Sequence, residues 1–419
     1  MENNNIQRYP VTQPQQRIWY TELLYPNRNT STIIAIVKIK GRIDVNVLKQ
    51  AINKVIEQND SLRIRVTTEN GVPYQYVRDH EDQDIECLEL NEAQAEQWML
   101  ENRPMAIELL NSELHRFVIL RISDEETWLH FKMHHMISDG ISMNLTVNQI
   151  SRNYLKLVNG EHVPNEGSSY LDFIQAEHEY EQSERYHKDR SYWLEKFSTM
   201  PEATGLKQYN PLTMDTEARV QSFTLSDELY QGVKAFCEQH QISIFNFFLS
   251  ALYIYMHKVT GENDIAIGTL YANRTTKKEK EMIGMFVSTV ATRMQVEPNQ
   301  ELISFLKNTA KEQAAILRHQ RYPYNKVIQD LREIHRNHDI QRLFGVSIQY
   351  RPLSFFRMGE AVVRGVRITA GTPSTISIFI SWTIWMTGSC SWTCITAPSS
   401  LMSTRREKCF ASSFVLRSK

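Results

Sequence analysis

Apolar residues along the first half of the chain recur with the two periods that distinguish strands from helices. An apolar run at 33–39 predicts a strand, and apolar residues at helical spacing after Asp44 predict a helix with Asp44 as its N-cap. Runs at 116–122 and 128–133 predict two strands joined by a tight turn. The charged and aromatic segment 170–197 indicates further helix.

The second half alternates in the same way, although its sequence does not repeat the first. Ser243 is placed to cap an apolar helix, and a turn at 261–264 leads into a strand at 265–270. A helix is predicted over 303–317 and a strand over 344–350. Strands that alternate with helices in both halves indicate an α/β (α+β) architecture.

Length and composition divide the chain into two lobes and an unusual tail. A chain of 419 residues exceeds the ~250–300 at which a single core stops growing. The segment 199–217 has little periodicity, so we interpret it as a connection between an N-terminal lobe (1–198) and a C-terminal lobe (218–360). The tail 361–419 is atypical, because its only acidic residue is Glu407 and a protein surface needs charge.

The charge balance narrows the class of partner. Lys and Arg number 47 against 48 Asp and Glu, which argues against nucleic acid and against an anionic membrane. No apolar run approaches the ~20 residues that span a bilayer, and the polar amino terminus shows no secretory signal. The five cysteines lack metal-ligand spacing. We therefore expect a cytoplasmic monomer with no nucleic acid, no membrane span and no bound metal.

The motif HHMISDG contains the residues best suited to chemistry. His134 and His135 lie where the strand at 128–133 is expected to end, and alternation along a strand sends their side chains to opposite faces. Asp139 can orient an imidazole or pair with an arginine, and Gly140 allows close approach of a ligand. The helix expected next has three apolar residues on one side: Ile141, Leu145 and Ile150.

The residues alone leave three interpretations of this motif open. Two partly buried histidines beside an Asp-Gly turn would have a purely structural role. A metal site needs at least three ligands, and neighbouring histidines on opposite faces do not readily share one ion. The third interpretation is a general acid/base histidine in acyl transfer, without a G-x-S-x-G nucleophile. The chain has no P-loop or dinucleotide fingerprint, which argues against ATP and NAD chemistry.

HHMISDG resembles the HHxxxDG signature of nonribosomal peptide synthetase condensation domains. Five further segments resemble other motifs of that family in the same order: TQPQQRIWY at 12–20, NDSLRIRV at 59–66, YLDF at 170–173, IGMFVSTV at 283–290 and RHQRYPYNKV at 318–327. The second segment lacks the usual Arg-His pair before it, and Ser288 stands where many members have Asn. Six motifs in order are far more specific than one.

The resemblance implies two chloramphenicol-acetyltransferase-like lobes that form a V with a central substrate tunnel. It implies that His135 is the catalytic imidazole for amide bond formation between an acyl donor and an aminoacyl acceptor. Both substrates would arrive on phosphopantetheine arms of carrier proteins, or the donor on coenzyme A, and the domain itself would bind no cofactor. A free α-amino group has a pKa of ~7.7–8.0, so His135 need not deprotonate the resting amine. It can accept the proton during attack or stabilise developing charge.

The resemblance also implies supporting roles for other residues. His134 would support the loop, and Asp139 would form a structural salt bridge, with Arg274 as the expected partner. Gly140 would lie close to the reacting thioester. Arg63 matches the arginine of the second motif and would have a structural role. A simpler interpretation stays open for the two arginines, in which both are merely solvated.

Three segments of the sequence indicate a subtype of the family, and the position of Met1 indicates a source for the acyl donor. RIWYTE, HHMISDGISMN and NRTTKKEKEMIGMFVSTV look most like starter condensation domains, which N-acylate the first amino acid of lipopeptides. Met1 lies eleven residues before the first motif, so we expect no carrier domain ahead of it. The donor would then arrive in trans, on coenzyme A or on a separate carrier protein.

We interpret the tail 361–419 as the product of a shifted reading frame. Family members normally end with an acidic stretch resembling DGxLxLDxxYRTELFD. Trp and Met have single codons that end in G, and Thr codons begin with AC. Reading from the third base therefore forces Asp at four dipeptides: Trp382–Thr383, Trp385–Met386, Met386–Thr387 and Trp392–Thr393. A frameshift at or before about residue 382 would explain the composition of the tail.

Other functions stay open at this point. An acyltransferase of the same fold could act on soluble substrates, and dependence on a carrier protein would distinguish the two. A non-catalytic recruiting domain is a second alternative, although the intact His135 and Asp139 argue against it. The chain could also be an inactive truncated fragment if the tail prevents folding.

Overall fold

The computed structural model describes residues 7–26, 29–201, 219–352, 357–358, 361–370, 378–384 and 390–396. The helices of this part of the chain are α1 (Gln13–Leu24), α2 (Val45–Gln58), α3 (Glu92–Asn102), α4 (Gly140–Val158), α5 (Tyr170–Glu181), α6 (Glu184–Lys196), α7 (Asp227–His240), α8 (Ile244–Thr260), α9 (Lys277–Glu281), α10 (Leu302–Arg318) and α11 (Tyr324–His335). The strands are β1 (Tyr9–Pro10), β2 (Thr32–Lys40), β3 (Ile64–Glu69), β4 (Val72–Val77), β5 (Glu86–Glu89), β6 (His115–Ser123), β7 (Glu126–His134), β8 (Arg219–Thr224), β9 (Asp264–Tyr271), β10 (Ser288–Gln295), β11 (Val346–Pro352), β12 (Arg357–Met358), β13 (Ala361–Ala370), β14 (Ile378–Ile384) and β15 (Cys390–Thr396).

Two larger sheets organise these strands. The first has the order β12-β13-β2-β7-β6-β5, and the second has the order β10-β9-β11-β14-β15-β8. In the first sheet β2 and β7 are antiparallel neighbours, with Thr32 opposite His134. Because β7 is paired on both sides, the strand that ends at the histidine pair is held rigidly.

The first core confirms the helix predicted after Asp44. The Asp44 carboxylate accepts the backbone N–H groups of Asn46 and Val47, an N-cap worth about 1 kcal/mol. The apolar side of α2 is fully buried: Leu48, Ala51, Ile52, Val55 and Ile56. These residues pack with the inner face of β7, including Phe131 and Met133. The helical spacing of the apolar residues therefore predicted both helix α2 and its buried face.

The apolar side predicted for α4 is only partly right. Ile150 is buried, but Ile141 and Leu145 are only half-buried. The buried side is instead rotated toward Ser142 and Thr146, whose hydroxyl groups bond inside the protein. The apolar Met143 and Val147 also lie on this buried side, so the prediction chose the wrong apolar pair to accompany Ile150.

The segment 170–197 forms two helices, α5 and α6, separated at Gln182 and Ser183. Ser183 is the N-cap of the second helix, because its side chain accepts the backbone N–H of Tyr186. The helix predicted there is therefore two helices.

The second core is built around α8, which packs with β9, β11 and α10. Ser243 caps α8 as predicted, and Gly261 ends it in the left-handed region at φ 79°. The strands predicted at 265–270 and 344–350 are present as β9 and β11. Most of the proposed connection, 202–217, lies outside the described residues, as do 371–377, 385–389 and 397–419 of the tail.

Two segments from later in the chain pack on the first core. Strand β13 pairs antiparallel with β2 in the first sheet. The segment 282–286, which we call the crossing segment, buries Met282, Ile283, Met285 and Phe286 among the residues of the first core. Contacts therefore join the two lobes through residues that are about 140 positions apart in sequence.

A helix that crosses a membrane must meet a test of length and hydropathy. Among the described helices, no single one is long and apolar enough to cross a bilayer. The consecutive pair α7 and α8 passes the test jointly, with a bend of 103° between the two helices.

Gly284 provides a test of how tightly the crossing segment is held. A Cβ at this position would lie 2.3 Å from the fully buried ring of Tyr170 and 2.9 Å from that of Phe286. We expect Gly284→Ala to lower the free energy of unfolding by about 1–3 kcal/mol, because neither ring has room to move. Thermal or urea unfolding measures this change.

Gly232 offers the matched control, because it is exposed on α7 and a Cβ there would meet nothing within 4 Å. Gly232→Ala should leave stability unchanged or raise it by up to about 1 kcal/mol. Equal stability of the Gly284→Ala and wild-type proteins would contradict the packing described for the crossing segment.

Candidate active site

The two neighbouring histidines end β7 and differ in environment. His134 is buried, with 1% of its surface exposed, whereas His135 is partly exposed. Backbone bonds fix both residues, since His134 N–H donates to Leu114 O at 2.8 Å and His135 N–H donates to Ser31 O at 2.7 Å. The two side chains therefore have different surroundings, as strand alternation predicts.

The ring of His135 is held in one tautomer. Its Nδ1 lies 3.1 Å from the carbonyl oxygen of Ser138, and a carbonyl can only accept, so Nδ1 carries the proton of the neutral ring. Nε2 then carries the free lone pair. Burial, together with the positive charge of the nearby Arg17, lowers the pKa of His135 to about 4. At neutral pH the side chain is an uncharged proton acceptor in a fixed orientation.

Asp139 and Arg274 form a buried ion pair behind this loop. Arg274 Nη1 lies 2.7 Å from Asp139 Oδ2, and Nη2 lies 3.1 Å from Oδ1, with both side chains at most 2% exposed. The pair that the resemblance implies is thus present and bidentate. Burial raises the pKa of Asp139, but the Arg274 guanidinium and the hydrogen bonds from Ser142 together outweigh burial and hold that pKa below its usual value.

The same carboxylate joins three parts of the chain. Asp139 caps α4 by accepting the N–H groups of Ile141 and Ser142, and it also accepts the N–H of Phe286 in the crossing segment at 3.2 Å. Arg274 stacks over the ring of Phe286, with 4.1 Å from its Cζ to the ring centroid. The loop, the helix and the crossing segment are therefore positioned by one group.

Ser142 adds a direct link between the lobes. Its hydroxyl donates to Gly284 O at 2.7 Å and accepts the N–H of Gly284 and an N–H of Arg274, each at 3.0 Å. The side chain is completely buried. No local pattern in the sequence indicates this residue, because its partners Gly284 and Arg274 lie more than 130 positions later.

Comparison with known proteins decides the family. A family model described as the condensation domain matches residues 5–363. The chain belongs to the condensation domain family. Two relatives come from Bacillus subtilis (strain 168). One is a plipastatin synthase protein, which is 36% identical over 353 residues, or 83% of this chain and 14% of that protein. The other is surfactin synthase subunit 1, which is 37% identical over 356 residues, or 83% of this chain and 10% of that protein. The chain thus spans a small part of the length of these relatives.

Solved structures confirm the fold. The starter condensation domain of rhizomide synthetase RzmA, as a variant in complex with C8-CoA and Leu-SNAC, has a TM-score of 0.81 at 21% identity, covering 93% of this chain and 89% of that one. The condensation domain of the Monacolin K polyketide synthase MokA has a TM-score of 0.84 at 16% identity, covering 98% and 96%. The condensation domain therefore has the mixed, chloramphenicol-acetyltransferase-like fold that the resemblance implies.

The two remaining predicted site residues are Arg63 and Gly140, and their contacts do not establish their roles. Arg63 donates to the backbone oxygen of Arg78 at 2.7 Å and lines a cavity of about 350 Å³ together with His115. These contacts are compatible with the structural role expected for Arg63, which stays a prediction. Gly140 begins α4 and is partly exposed, and its φ is not positive. The nearness of Gly140 to the reacting thioester stays a prediction.

Helix α1 contributes residues that sequence reasoning missed. Gln15 is completely buried and donates to Met136 O at 2.8 Å, which anchors α1 to the histidine loop. Arg17 donates to Thr289 and to the carbonyl of Val287 across the lobes. The signal available was their position in TQPQQRIWY at 12–20, one of the segments that resemble the family's motifs. Within the described residues, no group of three His, Cys, Asp or Glu side chains could hold a metal ion.

Removing one partner of the buried ion pair tests its structural importance. We expect Arg274→Gln to lower the free energy of unfolding by about 3–5 kcal/mol, because Asp139 would keep a buried negative charge without compensation. Chemical denaturation measures the loss. The exposed pair Arg116–Glu86 supplies the control, and Arg116→Gln should change stability by no more than about 1 kcal/mol. A similar small change for Arg274→Gln would contradict the assigned role of the pair.

Proposed function

We propose that this condensation domain joins an acyl group to the amino group of a carrier-bound amino acid, forming the first amide bond of a lipopeptide. The observation that carries the proposal is His135, an uncharged imidazole with a free Nε2 lone pair, four residues before the Asp139 carboxylate that pairs with Arg274 of the other lobe. Membership of the condensation domain family and similarity to plipastatin and surfactin synthases support it.

The chemistry required is attack of a neutral amine on a thioester. The new C–N bond forms as the thiolate leaves, and the nitrogen loses a proton. Nε2 of His135 can accept a hydrogen bond from the amine N–H. It can then receive that proton, because the amine nitrogen becomes more acidic during attack. Holding both tethered substrates in one place contributes further, because a reaction between separate molecules becomes effectively intramolecular. We propose that the substrates meet in a tunnel between the lobes.

We propose the starter subtype, with acyl-CoA or an acylated carrier protein as donor. The support is similarity in sequence to synthases that are named for lipopeptides and in fold to a starter condensation domain bound to C8-CoA. We further propose a cytoplasmic monomer that uses peptidyl or aminoacyl carrier protein domains as partners. A thioester is already activated, so the reaction needs no redox centre or metal, and we propose that none is bound.

We also propose that the tail 361–419 derives from a shifted reading frame. The family match ends at residue 363, close to Glu360, after which Glu407 is the only acidic residue in the sequence. The nucleotide sequence tests this proposal, because an unbroken frame with homologous tails in related genes would contradict it.

Replacing the imidazole tests the catalytic assignment. We expect His135→Ala to reduce amide formation by about 10²–10⁴-fold, the usual contribution of a positioned base. The assay combines acyl-CoA with an aminoacyl carrier protein and measures the acylated product by mass spectrometry. The exposed His187 provides the control, since His187→Ala should keep wild-type activity. A folded His135→Ala protein with wild-type turnover would end the proposal, and acceptance of peptidyl donors alone would refute the starter subtype.

The pH dependence tests the protonation state. With a pKa of about 4, His135 is neutral throughout the range in which the acceptor amine, with a pKa of ~7.7–8.0, loses its proton. The rate should therefore rise with pH, level off above about pH 9, and show no inflection at the ordinary histidine value of ~6.5. An acceptor with a less basic amine should shift the curve to lower pH. An inflection near pH 6.5 that does not move with the acceptor would contradict this description of His135.

A further inference from the structure

Glu22 is an acidic residue of α1 that the mechanism above does not use. Its Oε1 lies 3.7 Å from Nε2 of His134. The Glu22 side chain is 17% exposed and that of His134 is 2% exposed, so little water separates the two groups. A carboxylate in such a position acts strongly on its neighbour, because the effective dielectric constant away from solvent is low.

The proton position on His134 follows from its other nitrogen. The backbone N–H of Met136 donates to Nδ1 of His134 at 3.1 Å. A nitrogen that accepts a bond holds a lone pair, so the proton of the neutral ring lies on Nε2. The N–H of His134 is therefore on the side of the ring that faces Glu22.

Glu22 carries a negative charge under ordinary conditions. Burial raises its pKa, but the neighbouring His134 and Ser31 side chains outweigh burial, so the pKa lies below the usual value for glutamate. A negative carboxylate opposite Nε2–H favours this tautomer over the one with the proton on Nδ1.

Short contacts connect His134 and Ser31 to the catalytic ring. The carbonyl oxygen of His134 accepts the Ser138 hydroxyl at 3.2 Å, and the carbonyl oxygen of Ser138 accepts Nδ1–H of His135. The carbonyl oxygen of Ser31 accepts the backbone N–H of His135. Both residues beside Glu22 thus hold His135. His134 does so through Ser138, which binds the His135 ring, and Ser31 does so through the His135 backbone.

We propose that Glu22 is a positioning residue for the reaction, which fixes the tautomer and place of His134 and thereby directs Nε2 of His135. This inference rests on the proposed function of His135. Residues that orient a reacting group in this way commonly contribute 10- to 100-fold, because small displacements of that group are costly.

Two replacements of similar size separate this role from simple packing. Glu22→Met fills the same volume without a polar atom near Nε2–H, and Glu22→Gln keeps an oxygen acceptor without the charge. We expect Glu22→Met to lower kcat by about 10- to 100-fold with KM for both substrates within about twofold, and Glu22→Gln to lie between it and wild type. The melting temperature should change little. The control is Glu96→Met, an exposed glutamate on α3, which should retain wild-type kcat.

Wild-type kcat in Glu22→Met would overturn the inference, as would a loss seen only in KM or stability. A second measurement needs no variant and no activity. The ¹⁵N chemical shifts of the histidine side chains report which nitrogen of His134 is protonated, and we expect Nε2. A proton on Nδ1 would refute the inference even if condensation is confirmed. If the wild-type protein forms no amide, the proposed function fails while the tautomer measurement still decides the geometry.

Discussion

The ion pair between Asp139 and Arg274 is the interaction on which the geometry of the site depends. Both charged groups are buried, and each is stabilised by the other and by neighbouring N–H groups. Removing either one would leave an unpaired buried charge and strongly lower the stability of the fold. The Asp139 carboxylate also begins α4 and binds the crossing segment. The position of the histidine loop and the relation between the lobes are therefore set together rather than separately.

Local patterns in the sequence predicted much of the framework. The strand at 33–39 and the helix after Asp44 were predicted from the spacing of apolar residues, and most of those same residues are buried in the first core. The face of α4 was misplaced, since Met143 and Val147 are buried rather than Ile141 and Leu145, and Ser142 and Thr146 are buried beside them through hydroxyl bonds. The crossing segment could not be predicted from pattern, because contacts between residues about 140 positions apart leave no local periodicity.

The candidate site shows a similar division. Fixed spacing within HHMISDG placed His134, His135 and Asp139 on a strand end and a helix start, as the structure has them. Arg274 was connected to Asp139 only through the resemblance to a family, since nothing near Arg274 in sequence indicates its partner. Glu22 ends the segment RIWYTE, which the resemblance used only for the subtype, and no local pattern indicates that this residue faces a histidine. Its importance depends on the ring it faces, which lies more than a hundred residues later.

The crossing segment has a consequence for recombination between synthetases. A chimera joined within 199–217 would take its C-terminal lobe, including 282–286, from a different parent. Four foreign side chains would then enter the first core, and a foreign backbone would have to meet the Ser142 hydroxyl and the Tyr170 ring of the host. Parents that differ in this short stretch are incompatible even where the rest of each lobe is intact, and a graft that leaves 282–286 with the N-terminal parent avoids the mismatch.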